Sequence, residues 1–146
     1  MSTGVVQTKR MELAFKGIGK RSFQYDFKMI PKSEEEANEV RKIIFAFKAN
    51  MLPEFKTGNR SGRKLRVPNT FDIQYMYSSG ENSTQENDYL HRISTCVLKN
   101  MDVTYGGDRY RTFTANEDGA PPIETSISLQ FEELELITKE RVYEGY

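Results

Sequence analysis

The side chains best suited to chemistry are few and scattered. Asp26, Asp72, Asp102 and Glu124 lie on stretches that read as strands, where two carboxylates could in principle share acid–base work. They fall one per strand among polar neighbours, with no histidine or metal-ligand spacing beside them. Cys96 and His91 are the only cysteine and the only histidine. Five residues along one extended strand span ~15 Å, too far for a nucleophile and its base. Cys96 therefore reads as an ordinary small residue beside Leu98, on the face opposite Ile93, Thr95 and Val97. The glycine-bearing basic stretch from Lys56 to Arg66 could grip phosphates. It lacks the spacing of a phosphate-binding loop, because Gly58 and Gly62 are too close and Arg63-Lys64-Leu65 follows where Lys-Ser/Thr is needed. So few soft ligands set a structural zinc site aside. The residues point to a non-enzymatic protein without cofactor or metal.

Size and composition agree with one domain. The chain has 146 residues, 37% hydrophobic and 29% charged, enough for a single core. No apolar run approaches a membrane span, and Met1–Arg10 lacks the apolar stretch of a signal peptide. A single cysteine excludes an intrachain disulfide and suits a reducing compartment. Formal charge is balanced overall but not along the chain. Residues 1–66 carry 15 Lys/Arg against 7 Asp/Glu (+8), and residues 67–146 carry 6 against 14 (−8). Such asymmetry can orient copies of the same protein, unless folding simply mixes the two halves.

The elements that position these residues are mostly strands. Residues 1–8 read as a flexible arm and 9–146 as one domain. Met11, Leu13 and Phe15 alternate with Arg10, Glu12 and Ala14, Gly17-Ile18-Gly19 supplies a turn, and Phe23, Tyr25, Phe27 and Met29 alternate again. A hairpin over about 9–29 is expected. Ser33 with Glu36 forms a capping box, and Ala37, Val40, Ile44, Phe47 and Met51 recur at helical spacing, widened by Ile43. One flanking helix over about 33–50 follows. Phe71, Ile73, Tyr75 and Tyr77 predict a strand, residues 78–88 a polar excursion, and Ile93–Tyr105 a long strand. Turns fall at Gly106-Gly107-Asp108 and Asn116–Ala120. The organising stretch is the last one, Pro121–Ile137. Ile123, Thr125, Ile127, Leu129 and Phe131 alternate with polar residues, then the phase flips to Leu134 and Leu136. A β-bulge near Glu132–Glu133 would produce that flip, within a strand about twice the usual length. Thr138–Tyr146 reads as a short helical turn and an aromatic tail.

Taken together, four segments in order resemble the tube domain of the baseplate tail-tube cap proteins of T-even-type contractile-tailed phages. They are Arg21–Phe27 leading to Pro31-Lys32-Ser33, Ile43–Phe55, Cys96–Val103, and Asn116–Pro122 with Phe131–Glu140 and the Gly145-Tyr146 end. The likeness spans most of residues 11–146, and it is the order of the segments that carries it. Members of that family have a long extra N-terminal region, whereas this sequence starts almost at the tube domain, so a neighbouring component such as the tube initiator stays an alternative.

The resemblance implies a mostly β (α+β) fold, an antiparallel β-sandwich or barrel of the phage tail-tube type with one flanking helix. It also implies a homohexameric ring whose long strands join those of neighbouring copies around a DNA channel. The partners would be the tail tube protein and baseplate hub or tube-initiator proteins, with DNA only in passage and no membrane. The site would be the virion, assembled in the host cytoplasm. Candidate ring-stacking contacts are Phe15, Ile18, Tyr143 and Tyr146, and candidate lumen-facing acids are Glu133 and Glu135. A standalone β-sandwich module binding carbohydrate or protein through loops 56–66 and 78–88 is the alternative from another class.

Overall fold

The computed structural model describes residues 17–55, 65–107 and 109–146. Among the described residues the fold is mostly β, with antiparallel sheets and two helices. Its main sheet has three strands, β1 (Ser22–Met29), β6 (Cys96–Tyr105) and β7 (Thr125–Glu133), in the order β1-β7-β6. The last strand in sequence is thus the central one. Its alternation explains this: Thr125, Ile127, Leu129, Phe131 and Glu133 are all buried on one face. Phe23, Tyr25 and Met29 sit opposite Phe131, Leu129 and Thr125 and pack against the core.

The expected phase flip near Glu132–Glu133 is corrected. β7 keeps a single phase to its end, and the extra residue lies in β6, where Leu98 pairs with Phe131 and Asn100 with Gln130, leaving Lys99 over. The bulge puts Cys96 and Leu98 on the same face as Met101 and Val103. Cys96 therefore faces the core and not the opposite side. β7 has nine residues and β6 ten, the upper end of ordinary strand length rather than twice the usual.

Helix α1 (Glu34–Met51) covers the apolar face. Ser33 accepts from the Glu36 N–H at 3.2 Å, and the Glu36 carboxylate reaches one residue further back, accepting from the Lys32 N–H at 2.6 Å. Two otherwise orphaned donors are thereby satisfied, and three glutamates face the positive helix end. Ile44 is buried, and Val40, Phe47 and Met51 pack beside it, whereas Ile43 lies outside the stripe and stays exposed. Phe47 stacks on Phe71 at 5.9 Å, and Phe71 meets Phe131 edge-on at 5.5 Å.

The smaller elements hang on this frame. The ribbon β2 (Glu54–Phe55) with β3 (Leu65–Arg66) follows α1. Phe71, Ile73 and Tyr75 alternate in burial as expected, but only Phe71 makes a sheet bridge, to Cys96. The polar excursion is a hairpin, β4 (Met76–Gly80) with β5 (Ser83–Glu86), and Tyr77 is exposed on it. Asn116 and Gly119 exchange backbone hydrogen bonds in the turn before β7, with Gly119 at φ +127°. A five-residue helix, α2 (Lys139–Tyr143), precedes the tail.

Among the described residues the sheets are open: no barrel closes, and no second sheet of like size faces the first. The first strand of the expected N-terminal hairpin, with Phe15, lies outside the described residues. No helix among them is long and apolar enough to cross a membrane.

Candidate assembly surfaces

The main sheet has two unlike faces. Opposite the helix, three consecutive cross-strand rows are polar: Gln24–Gln130–Asn100, Asp26–Ser128–Asp102 and Lys28–Ser126–Thr104. Gln24 Nε2 donates to Ser128 Oγ at 3.2 Å, and the second and third rows line a shallow depression of about 320 Å³. Asp26 and Asp102, one per strand in the sequence, are brought into one row, about 10 Å apart at two strand spacings. The other two carboxylates are elsewhere. Asp72 accepts from Thr95 Oγ1 at 2.9 Å, and Glu124 pairs with Lys28 at 2.9 Å. The open face can hydrogen-bond water and disfavour close approach of anions along its acidic row.

His91 and Cys96 do not form a dyad. The imidazole stacks on Phe23 at 5.4 Å and meets Tyr75 edge-on at 5.7 Å. The Cys96 thiol, fully buried, donates to the Ser94 carbonyl at 3.1 Å. Burial, and then the nearby Glu133 carboxylate, push it up to about 11, so it stays protonated and inert at neutral pH. Burial and then the hydrogen bond shared with Tyr75 likewise raise Tyr25 above the ordinary tyrosine range.

Glu133 corrects an expectation. Its side chain is 0% exposed and cannot face a lumen. Arg21, at the start of β1, grips it with Nε and Nη2, the latter at 2.9 Å, and the Ser94 N–H donates to the same carboxylate at 2.7 Å. Arg21 Nη2 also donates to the Arg92 carbonyl at 3.1 Å. One ion pair thus ties the start of β1, the segment 92–94 and the end of β7. The hydrogen bond to Glu133 raises Arg21 further above the ordinary guanidinium range. Arg21 escaped the sequence reading because its partner is 112 residues away and no local pattern marks it.

The other candidates fall on the surface. Glu135 is partly exposed and bonded by Arg141 at 2.7 Å, and hydrogen bonds from Ser94 and then Arg141 hold it below the usual carboxylate range. Ile18 is exposed and Tyr143 is 79% exposed, whereas Tyr146 is half-buried under the Arg141 guanidinium, 4.0 Å from its ring. The Arg92 N–H donates to the Gly145 carbonyl at 2.8 Å, so the tail's end is held by its own subunit. The strand edges complete the picture. The outer edge of β1, and that of β6 beyond the Phe71–Cys96 bridge, have no strand partner among the described residues. The chain matches no protein-family model and no curated protein sequence.

Proposed function

We propose that this protein is a ring-forming structural subunit of a contractile phage tail, joining the baseplate hub to the tail tube and templating tube assembly around the DNA channel. The observation that carries the reading is the two-faced main sheet. One face is sealed by α1, the other is polar over three rows, and the outer edge of β6 beyond the Phe71–Cys96 bridge has no strand partner among the described residues. An unpaired strand edge templates unwanted pairing, and a closed ring of copies can remove it. The polar face then suits a water-filled lumen. Its acidic row, Asp26 and Asp102, takes the DNA-repelling part first expected of Glu133, with Glu135 at the rim.

The sequence resemblance to tail-tube cap proteins supports the same reading, and a tube initiator would share this architecture. Native mass spectrometry of the purified chain, alone and with tail tube protein, tests it. A closed homo-oligomer, sixfold by the resemblance, that binds tail tube protein is expected. A strict monomer indifferent to tail tube protein would refute it and favour a standalone binding module.

A further inference from the structure

Two exposed surfaces, each built wholly from described residues, carry apolar side chains and opposite charge. The first is one flank of α1. Arg41, Phe45, Lys48 and Leu52 recur at steps of four, three and four, so they share a flank beside the stripe that meets the core. Phe45 is 71% exposed, and Leu52 is exposed with it. Residues 40–52 hold Arg41, Lys42 and Lys48 and no Asp or Glu. The second surface is the β4–β5 hairpin and its exit, where Met76, Tyr77, Tyr89 and Leu90 are exposed, Tyr89 fully. Residues 76–90 hold Glu81, Glu86 and Asp88 and no Lys or Arg. Pairing within the subunit answers these charges only in part. Lys42 meets Glu39 at 2.7 Å, Arg41 meets Asp118 at 3.5 Å and Glu86 meets Arg92 at 3.7 Å, all near the surface, where such pairs are worth little. With these partners counted the flank keeps +1 (three bases, two acids) and the hairpin −2 (three acids, one base).

The hairpin also needs a partner for its own sake. A two-stranded ribbon alone is marginal in water, and β4 is exposed along its length, as is β5 up to Glu86. Its base is fixed to β1: the Tyr75 hydroxyl bonds that of Tyr25, the Asn87 N–H donates to the Tyr75 carbonyl at 2.8 Å, and His91 stacks on Phe23. Helix α1 packs on β6, the edge strand at the other side of the β1-β7-β6 sheet. Within one subunit Phe45 and Tyr89 both stay uncovered, and each surface has the charge the other lacks. A patch and its complement on opposite sides make a heterologous contact, which repeats from copy to copy and closes into a ring when the rotation allows.

We infer that the acidic, aromatic β4–β5 hairpin of one copy docks on the basic, apolar flank of α1 in the next. The proposal rests on the ring reading above and names the surfaces that make the ring. Phe45, Leu52 and the hairpin tyrosines supply the desolvated centre, and the charges supply register and encounter rate, as in other specific interfaces.

Cysteine reporters at exposed positions test it in the full chain, since Cys96 is buried and slow to react. Ala49→Cys on α1 and Thr84→Cys on the hairpin, mixed and treated with a short bis-maleimide, should cross-link to each other and not to themselves. Phe45→Gln should weaken self-association about tenfold or more with far-ultraviolet circular dichroism unchanged, because the ring is exposed in its own subunit. Lys48→Glu should also weaken it, and Lys48→Glu with Asp88→Lys should restore it. Rings that survive Phe45→Gln and give no cross-link between positions 49 and 84 would overturn the inference and leave the ring reading standing. So would a Phe45→Gln protein that still forms rings but no longer binds tail tube protein, which would place that partner on the α1 flank. A monomer that never cross-links would overturn both. Cross-linked rings that ignore tail tube protein would uphold the inference while refuting the tail function.

Discussion

Replacing Arg21 by alanine isolates the one buried ion pair among the described residues and gives a sharp forecast. Wild-type Glu133 is 0% exposed and accepts from Arg21 Nε, Arg21 Nη2 and the Ser94 N–H. In Arg21→Ala only the Ser94 N–H remains, and a carboxylate stays in the protein interior without a counter-charge. Breaking a buried pair from one side costs about 3–5 kcal/mol. The Arg21 side chain is 30% exposed, so water partly reaches the vacated space and the lower end, about 3 kcal/mol, applies. With an unfolding entropy near 2.1 cal/mol/K per residue, that lowers Tm by about 10 °C for a chain of this length. Thermal unfolding followed by circular dichroism reads this directly. The companion variant Arg21→Met/Glu133→Leu removes both charges and should recover most of the loss, because the pair's desolvation cost disappears with it. A single variant melting within about 2 °C of wild type, or a double variant no better than the single one, would refute the reasoning.

Three further outcomes follow from the same geometry. Deleting Lys99 removes the bulge and forces either Cys96 and Leu98 or Met101 and Val103 off the core face, costing about 3–5 kcal/mol in denaturant unfolding. Lys99→Ala keeps the residue count and should cost within about 0.5 kcal/mol, so equal effects of the two would contradict the bulge assignment. Cys96 should react with a disulfide reagent only as fast as the protein opens, and stability should fall as pH rises from 9.0 towards about 11, since the unfolded thiol ionises first. Rapid labelling at neutral pH would contradict this. Glu135 is held below the ordinary carboxylate range, so its support of the tail is present above about pH 4.3 and is lost as pH falls below it. Amide NMR signals of Gly145 and Tyr146 should shift on acidification, and a tail that loosens on raising the pH would contradict the sign.

Where the sequence was legible, one physical pattern dominated. The helix was readable because Ser33 and Glu36 mark its start and the Val40–Ile44–Phe47–Met51 stripe has a single period. β7 was readable because its apolar and polar residues alternate without conflict up to Phe131. β6 misled because Cys96, Val97 and Leu98 are apolar in succession, so periodicity does not say which face is inside. Only pairing with β7 decides, and an extra residue can sit in either of two paired strands with the same effect on the local pattern. The role of Glu133 was hidden for a similar reason. A glutamate in core phase looks like the end of a strand until an arginine from the far end of the chain arrives to neutralise it. The polar face was visible strand by strand, but the row joining Asp26, Ser128 and Asp102 exists only once the register is known.

The most direct test of the ring account is electron microscopy of the purified protein, alone and with tail tube protein. The account expects annular particles with the Asp26–Ser128–Asp102 rows turned to the central hole and the α1 helices outside, and tail tubes ending on those annuli. Discrete single subunits, or a closed assembly with the polar rows facing outward and α1 towards the axis, would contradict it.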